Sequence, residues 1–161
     1  MTLAAQVLAA ARDAQAVIAT AESCTGGMIA AALTDIPGSS AVLDRGFVTY
    51  SNAAKRQMLG VNATTLEKHG AVSPEIAAEM AEGALRNSDA TVTVAVTGIA
   101  GPGGSEHKPE GRVCFGVATA TGTVTRLVDF GALGRRQVRE ASVSFALQML
   151  LDALFADQGA S

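Results

Sequence analysis

The chain has 161 residues, enough for one domain with a sizeable core, and 48% of them are hydrophobic while only 17% are charged. A net charge of −3 and few aromatic residues (five Phe, one Tyr, no Trp) argue against nucleic acid as a partner, because both the basic surface and the stacking platforms for it are missing. No apolar segment approaches the roughly 20 residues of a membrane helix, so no membrane association is expected.

Strand and helix patterns alternate along the chain. Apolar residues at helical spacing predict an N-terminal helix, and alternating β-branched residues predict a buried central strand at 91–99. Ser73 followed by Pro74 marks a helix start, because Ser caps helices and Pro suits the first turn. The predicted strands are 16–20, 45–51, 91–99, 112–120 and 123–131, and the further helices are 26–36, 53–60, 62–70, 73–85 and 135–155. This order predicts a single three-layer α/β/α domain over residues 1–161, with a mixed, largely parallel central sheet.

The stretch TAESCTGG, residues 20–27, joins the first predicted strand to a helix and contains two candidate nucleophiles, Ser23 and Cys24. The free backbone N–H groups and the dipole of a helix start favour negative charge there, such as an oxyanion or a phosphate. The alternative is that Ser23 or Thr25 only caps the helix.

Several familiar site templates fail on spacing. The glycine-rich segment 98–111 follows a strand but leads into another strand, so it does not fit the dinucleotide-binding fingerprint. The G-x-S-x-G elbow is absent around Ser23, and no phosphate-binding P-loop motif occurs. His69 and His107 have no partner at metal-ligand spacing, so no metal site is predicted.

Without a well-placed histidine, a nucleophilic Ser23 needs another base, and a lysine is the natural candidate. Lys55 lies in the first turn of the helix after strand 45–51, where the helix dipole disfavours a protonated amine. Tyr50 stands at the end of that strand. If the strands run parallel, Ser23, Tyr50, Lys55 and Thr97 share one rim of the sheet. The alternative is an ordinary solvated lysine and a rim aromatic.

Compartment and assembly follow from weaker signals. Cys24 and Cys114 lie far apart and no export signal is visible, so both are expected to be free thiols of a cytoplasmic protein. The last helix, 135–155, is apolar on two sides. Either a second subunit or a larger contact within the chain can cover it, and a homo-oligomer is the expectation.

Six motifs, in order, resemble the CinA carboxy-terminal family, and most closely its single-domain nicotinamide-nucleotide amidohydrolases. They are AESCTGG, GFVTYSNAAK, LGV, GAVSPE, TGIAGPGGSEHKPEGRV and GALGRRQVR, and the resemblance spans about residues 5–155. It implies hydrolysis of the carboxamide of nicotinamide mononucleotide (NMN) to nicotinate mononucleotide and ammonia, in pyridine nucleotide salvage. It also implies that no cofactor or metal is needed.

The resemblance places the nucleophilic serine at Ser23, the lysine base at Lys55 and the active-site tyrosine at Tyr50. The substrate-binding positions that we infer are Thr25, Gly26, Gly27, Thr97, Gly98, Gly101 and Arg135. Arg136 competes with Arg135 for the substrate's phosphate, because this chain reads GALGRRQ without the family's Asp. In this scheme backbone N–H groups of the 24–27 turn hold the oxyanion, and Gly26 and Gly27 leave room for the substrate.

Three further residues are not expected to take part in the chemistry. Cys24 is expected to be a bystander, because a reactive thiol needs a histidine or a clustered positive field beside it. Glu22 is expected to accept hydrogen bonds below the site. Glu110 stands where the family usually has an apolar residue, and we expect activity to survive this change.

Two other functions compete with NMN hydrolysis. A non-catalytic module that binds a phosphorylated ligand, or acts as a competence-associated adaptor, is one alternative; the retention of Ser23, Tyr50 and Lys55 argues against it. An amidase for some other small amide is the second, and it would share the mechanism but not the phosphate site.

Overall fold

The computed structural model describes residues 1–159, with side chains described as far as residue 156. Its strands are β1 (Ile18–Glu22), β2 (Leu43–Val48), β3 (Val92–Gly98), β4 (Arg112–Thr119) and β5 (Gly122–Asp129). Its helices are α1 (Leu3–Asp13), α2 (Met28–Thr34), α3 (Asn52–Leu59), α4 (Ala63–His69), α5 (Pro74–Arg86) and α6 (Arg135–Gly159), and a short 3₁₀ turn spans Ser39–Ala41. In this part of the chain, no helix is long and apolar enough to cross a membrane.

The five strands form one mixed sheet in the order β2-β1-β3-β4-β5. Strands β2, β1 and β3 are parallel, and β4 and β5 continue the sheet as antiparallel neighbours. Glu22, the last residue of β1, pairs with Val48 on one side and Val96 on the other. The carboxyl ends of the three parallel strands therefore lie nearly level, and the predicted shared rim is confirmed.

Helices cover both faces of the sheet, which confirms the predicted α/β class. Large side chains of the strands, such as Val94, Val96 and Phe115, pack with α1, α2 and α6 in one core. Small ones, such as Ala21 and Ala95, face α5 in a second core. A Cβ atom at Gly116 would lie 2.6 Å from the carbonyl oxygen of Ala77, so a glycine in β4 allows α5 this close approach.

The bounds of β1 and β2 differ most from the sequence prediction, whereas those of the other strands shift by at most two residues. Strand β1 runs to Glu22, because this buried glutamate still pairs with both neighbouring strands. Strand β2 begins at Leu43 and ends at Val48, so Tyr50 lies beyond the strand instead of at its end. Much of β2 is exposed because it is an edge strand, and its polar Asp44 and Arg45 hid its start from a hydrophobic pattern.

Helix α6 buries most of its apolar surface within the chain. It packs on α1 and the sheet through Val138, Ala146 and Leu150, which are fully buried. Phe155 is an exception at 56% exposed. A contact within the chain therefore accounts for most of the apolar character that the sequence shows in this helix.

Candidate active site

A cavity of about 400 Å³ opens at the carboxyl ends of the parallel strands. Ser23, Tyr50, Lys55, Thr97 and Arg135 all border it, so five residues singled out from the sequence meet in one place. The predicted Gly98, at the end of β3, also borders the cavity, and residues 99–106 of the loop that follows form much of the remaining wall, including the predicted Gly101.

The Nζ atom of Lys55 lies 3.1 Å from the Oγ atom of Ser23 at the floor of this cavity. Ser51 positions the lysine, because its hydroxyl accepts the N–H of Ala54 and so starts α3 one turn before Lys55. Lys55 and Leu59, four residues apart, then share the inward face of α3. Lys55 is only 1% exposed, so the alternative of an ordinary solvated lysine is wrong.

The surroundings of Lys55 suit an uncharged amine. Burial lowers the pKa of Lys55 below its ordinary value, and burial is the main cause of that shift. Nζ also lies 3.0 Å from the carbonyl oxygen of Thr49 and 3.3 Å from that of Tyr50. A neutral amine has two N–H groups, which these carbonyls accept, and one lone pair, which is left for the hydroxyl proton of Ser23.

The turn that carries Ser23 is built on the carboxylate of Glu22, which is 1% exposed. This carboxylate accepts the hydroxyl of Thr25 at 2.6 Å and the backbone N–H groups of Ile29 and Ala30 at 2.8 and 3.1 Å. The expected structural role of Glu22 therefore has its geometric basis in three hydrogen bonds. Because Glu22 already occupies the first turn of α2, those N–H groups are not free for an oxyanion or a phosphate, and that part of our expectation was wrong.

Thr25, Gly26 and Gly27 shape the turn but do not border the cavity. The two glycines have φ angles of +58° and +108°, values that side chains disfavour, so backbone conformation explains them rather than room for a substrate. The N-cap position of α2 is Gly27, which has no side chain to cap the helix. The hydroxyl of Thr25 bonds to Glu22 instead. The alternative that Ser23 or Thr25 only caps the helix is therefore wrong.

Arg139 is a supporting residue that the sequence analysis missed. Its Nε atom donates to the carbonyl oxygen of Cys24 at 3.1 Å, and Nη2 donates to that of Thr25 at 3.4 Å. The one sequence signal for a place near the site is that Arg139 lies one helical turn after Arg135, on the same face of α6. Arg139 therefore holds the backbone of the turn that carries Ser23.

Cys24 is buried in the core under the turn, with 6% of its surface exposed. Burial raises the pKa of its thiol to about 12, so the reactive thiolate is scarce at neutral pH. Cys114 is also a free, buried cysteine.

Arg135 reaches the cavity and Arg136 does not. Arg135 donates from Nη1 to the carbonyl oxygen of Gly101 at 2.7 Å and from Nη2 to the phenol oxygen of Tyr50 at 3.0 Å. Arg136 instead pairs with Glu140 on the outer face of α6. Within the described residues Arg135 forms no ion pair, so its charge is available to an anionic ligand.

Hydrogen bonds hold the loop after β3 in place. The hydroxyl of Thr97 donates to the carbonyl of Ala71 at 2.8 Å, which links β3 to the start of α5. Glu110, which does not border the cavity, accepts the N–H of Gly103 at 2.6 Å, so its carboxylate braces the loop. Gly101 has a φ of +93° and packs against Glu110, which explains the need for glycine there.

One charged residue of the cavity wall, Glu106, was not singled out from the sequence. Its carboxylate accepts the N–H of Ala71 at 3.2 Å. Among the residues the structure describes, no group of three or more His, Cys, Asp or Glu side chains is arranged to hold a metal ion.

Comparison with known proteins gives one consistent result. The family model described as "CinA C-terminal domain" matches residues 1–154. The nicotinamide-nucleotide amidohydrolase PncC of Escherichia coli K12 is 52% identical over 152 residues, which cover 93% of this chain and 92% of that protein. A longer CinA-like protein of Mycolicibacterium vanbaalenii is 53% identical over 139 residues, which cover 85% of this chain but 33% of the relative.

Solved structures agree with the sequence relatives. The crystal structure of the competence/damage inducible protein CihA from Agrobacterium tumefaciens is similar with a TM-score of 0.90 and 51% identity, over 94% of this chain and 93% of that one. A CinA superfamily protein from Klebsiella pneumoniae gives a TM-score of 0.92 at 37% identity, over 96% of both chains.

Proposed function

The chain belongs to the CinA C-terminal domain family, and we propose that it is a nicotinamide-nucleotide amidohydrolase that converts NMN and water to nicotinate mononucleotide and ammonia. The observation that carries this proposal is the contact between Ser23 and a buried Lys55 in a cavity that also holds Arg135. An amide needs a strong nucleophile and a proton for its leaving group, and this pair supplies both.

The first half of the reaction forms an acyl-enzyme. Lys55 takes the hydroxyl proton as Ser23 Oγ bonds to the carboxamide carbon, and the carbonyl electrons move onto oxygen. Backbone N–H groups of Cys24, Ala100 and Gly101 donate to no oxygen of the described residues, and these residues border the cavity, so they are our candidates for holding the oxyanion. Collapse of the intermediate breaks the C–N bond as the Lys55 ammonium gives its proton to the amide nitrogen, which leaves as ammonia.

The second half repeats these steps with water. Lys55 accepts a proton from a water molecule as its oxygen bonds to the acyl carbon, and the ester bond to Ser23 Oγ then breaks. The proton on Lys55 returns to the serine oxygen, which restores the resting pair. Because Lys55 contacts Ser23 directly, this mechanism needs no relay through the Tyr50 phenol, which accepts a hydrogen bond from Arg135.

We assign the phosphate of the substrate to Arg135, in preference to Arg136. Arg135 combines a free positive charge with a place at the cavity wall, and its contacts to Gly101 and Tyr50 hold the guanidinium there. Tyr50 then lines the cavity and holds Arg135 in place by accepting its hydrogen bond. Thr97 fixes the position of the loop after β3.

Two wider expectations remain proposals. We propose a cytoplasmic salvage enzyme, because both cysteines are free thiols buried in the fold. We also propose a homo-oligomer joined at the edge strand β5, where the apolar side chains of Val124 and Leu127 are exposed. Light scattering on the native chain and on a Leu127→Lys variant measures this association, and a native monomer would contradict it.

Ammonia release from NMN by the purified chain, in the absence of added metal, tests the function. The native chain should release ammonia and Ser23→Ala should not, whereas Cys24→Ala should keep most of the activity because it retains the backbone N–H and loses only a buried thiol. If Ser23→Ala remains active, the proposed nucleophile is wrong. If the native chain is inactive, the amidohydrolase proposal fails and a binding module replaces it.

A further inference from the structure

Arg139 is a partly buried cation of α6 that lies beside the active-site turn and does not border the cavity. Its guanidinium is bound to the turn that carries Ser23. In the described part of the chain Arg139 forms no ion pair, and the neighbouring Glu140 pairs with Arg136 instead. Withdrawing a charge from water without a carboxylate partner costs free energy, so the charge of Arg139 points to a role at the turn.

The hydrogen bonds of Arg139 fix the peptide groups that follow Ser23. Among the described residues, its Nε atom is the only donor to the carbonyl oxygen of Cys24, and Nη2 reaches that of Thr25. A Cβ atom added at Gly26 would lie 3.4 Å from Nη2, so the guanidinium packs directly on the turn. Holding the carbonyl of Cys24 also limits the rotation of its N–H, which is one of our candidates for binding the oxyanion.

The positive charge of Arg139 also opposes a negative charge at the same turn. The carboxylate of Glu22 is buried one residue before Ser23, and its field disfavours any further negative charge there. The thiol of Cys24 responds to both charges. Burial is the main reason that the pKa of this thiol is raised; Glu22 raises it further, and Arg139 lowers it. An oxyanion that forms beside Cys24 is exposed to the same two fields.

We propose that Arg139 is a positioning residue for the reaction: it holds the turn of Ser23 and Cys24 in place, and its positive charge stabilises the negative oxygen that forms there. This inference rests on the proposed function, because it takes Ser23 as the nucleophile. Arg139 acts through the backbone of the turn and through its field, since it does not border the cavity. The oxyanion exists only after Ser23 Oγ has bonded to carbon, so Arg139 affects the rate of that step and not the binding of NMN.

Turnover of NMN by Arg139→Gln and Arg139→Lys separates the charge from the hydrogen bonds. Gln keeps a donor for a carbonyl without the charge, whereas Lys keeps both. Arg139→Gln should lower kcat about 10- to 100-fold and change KM less than about twofold, because one charge–charge interaction at a partly buried site has this size. Arg139→Lys should keep kcat within about fivefold of the native value.

Two further variants complete this comparison. Arg139→Met has neither charge nor donor and should be no more active than Arg139→Gln, so it serves as a second neutral variant if one of them does not fold. Arg136→Gln, on the outer face of the same helix, is the matched control and should retain native kcat. Equal kcat values for the Gln and Lys variants would show that the charge has no part in the reaction. A raised KM with native kcat would also overturn the proposal.

Labelling of Ser23 by a small alkyl fluorophosphonate tests the same role without NMN. Ser23 Oγ bonds to phosphorus, fluoride leaves and Lys55 takes the hydroxyl proton, so an oxygen on phosphorus carries negative charge during the step. Intact mass gives the labelling rate, and Ser23→Ala is the unlabelled control. The rate should fall at least about tenfold in Arg139→Gln and stay within about fivefold of native in Arg139→Lys.

The two assays together distinguish failure of this inference from failure of the proposed function. Equal labelling rates in Arg139→Gln and Arg139→Lys, or no labelling of the native chain, would overturn the role of Arg139. If the native chain is labelled with the expected dependence on charge but releases no ammonia from NMN, the role of Arg139 at Ser23 stands and only the hydrolase proposal falls.

Discussion

Lys55 Nζ and Ser23 Oγ lie 3.1 Å apart although 32 residues separate them in the chain, and Lys55 is almost completely buried beside the serine. Parallel pairing of β1 and β2 creates this contact, because it brings the residues that follow both strands to the same edge of the sheet. A buried lysine in contact with a serine hydroxyl is costly to the fold unless the amine is neutral, and a neutral amine is a base.

Loss of the Lys55 amine should therefore remove catalysis and spare the fold. We expect Lys55→Met to lower kcat for NMN by about 10²- to 10⁴-fold, the usual contribution of a general base. Lys55→Arg should be as inactive, because a guanidinium keeps its proton. The control is Lys68→Met, an exposed lysine at the end of α4, which should retain native activity. Substantial activity in Lys55→Arg would show that Lys55 is not the base.

The pH dependence of the reaction should report the same amine. Only neutral Lys55 can accept the serine proton, so kcat/KM should rise with pH through the pKa of Lys55, which burial places below its ordinary value of 10.5. The negative charge of Glu106 partly opposes this shift. Glu106→Gln should consequently move the rising limb to lower pH, whereas a limb that moves to higher pH would contradict the assignment.

Stability should change with pH for the same reason. Below the folded-state pKa of Lys55, the folded and unfolded chains both carry the proton. Between that pKa and the unfolded value near 10.5, the unfolded chain binds more protons, so the free energy of unfolding rises with pH, by at most about 1.4 kcal/mol per pH unit. Urea titrations at several pH values give the free energy of unfolding of the native chain and of Lys55→Met. The value for the native chain minus the value for the variant should rise with pH over this range. A difference that stays constant as pH increases toward 10.5 would mean that the lysine is not perturbed.

Glu22 should matter for the fold of the turn more than for chemistry. Glu22→Gln replaces an acceptor of three hydrogen bonds with a group that also donates, and we expect a loss of about 2–4 kcal/mol in the free energy of unfolding. A double-mutant cycle with Thr25→Val should give a coupling of about 1 kcal/mol, because the two side chains share a buried hydrogen bond. Additive effects of the two substitutions would place them in separate networks.

The sequence predicted the gathering of site residues well, because that depends only on topology. Once β1, β2 and β3 are parallel, Ser23 and Lys55, which follow β1 and β2, must lie at the same edge as Thr97, which is near the end of β3. Local patterns also gave the helix start at Ser73, whose hydroxyl accepts the N–H of Ile76 as a capping residue does.

What the sequence could not predict depends on contacts between distant segments. The dipole argument made the start of α2 an anion site, but a buried carboxylate from the preceding strand, Glu22, already fills it. Arg139 and Glu106 escaped notice because each acts on a loop far away in the chain, at Cys24 and at Ala71. No spacing rule within one segment encodes such pairs.

The choice between Arg135 and Arg136 shows the same limit and gives the last prediction. The resemblance placed the site at Arg135 but left Arg136 as a competitor, whereas in the structure the helical turn of α6 directs Arg135 to the cavity and Arg136 to Glu140. Arg135→Gln should raise the KM for NMN about 10- to 100-fold, because it removes a charged donor to the phosphate. Arg136→Gln should stay within about twofold of the native value, since exposed ion pairs contribute little.

A substrate without the phosphate separates binding of that group from general damage. For nicotinamide riboside, the native chain and Arg135→Gln should have similar kcat/KM values, because the group that Arg135 binds is missing. An equal loss on both substrates would assign Arg135 to support of Tyr50 and the loop at Gly101 instead. The ratio of the two losses therefore measures how much of the Arg135 charge acts on phosphate, independently of the Ser23–Lys55 chemistry.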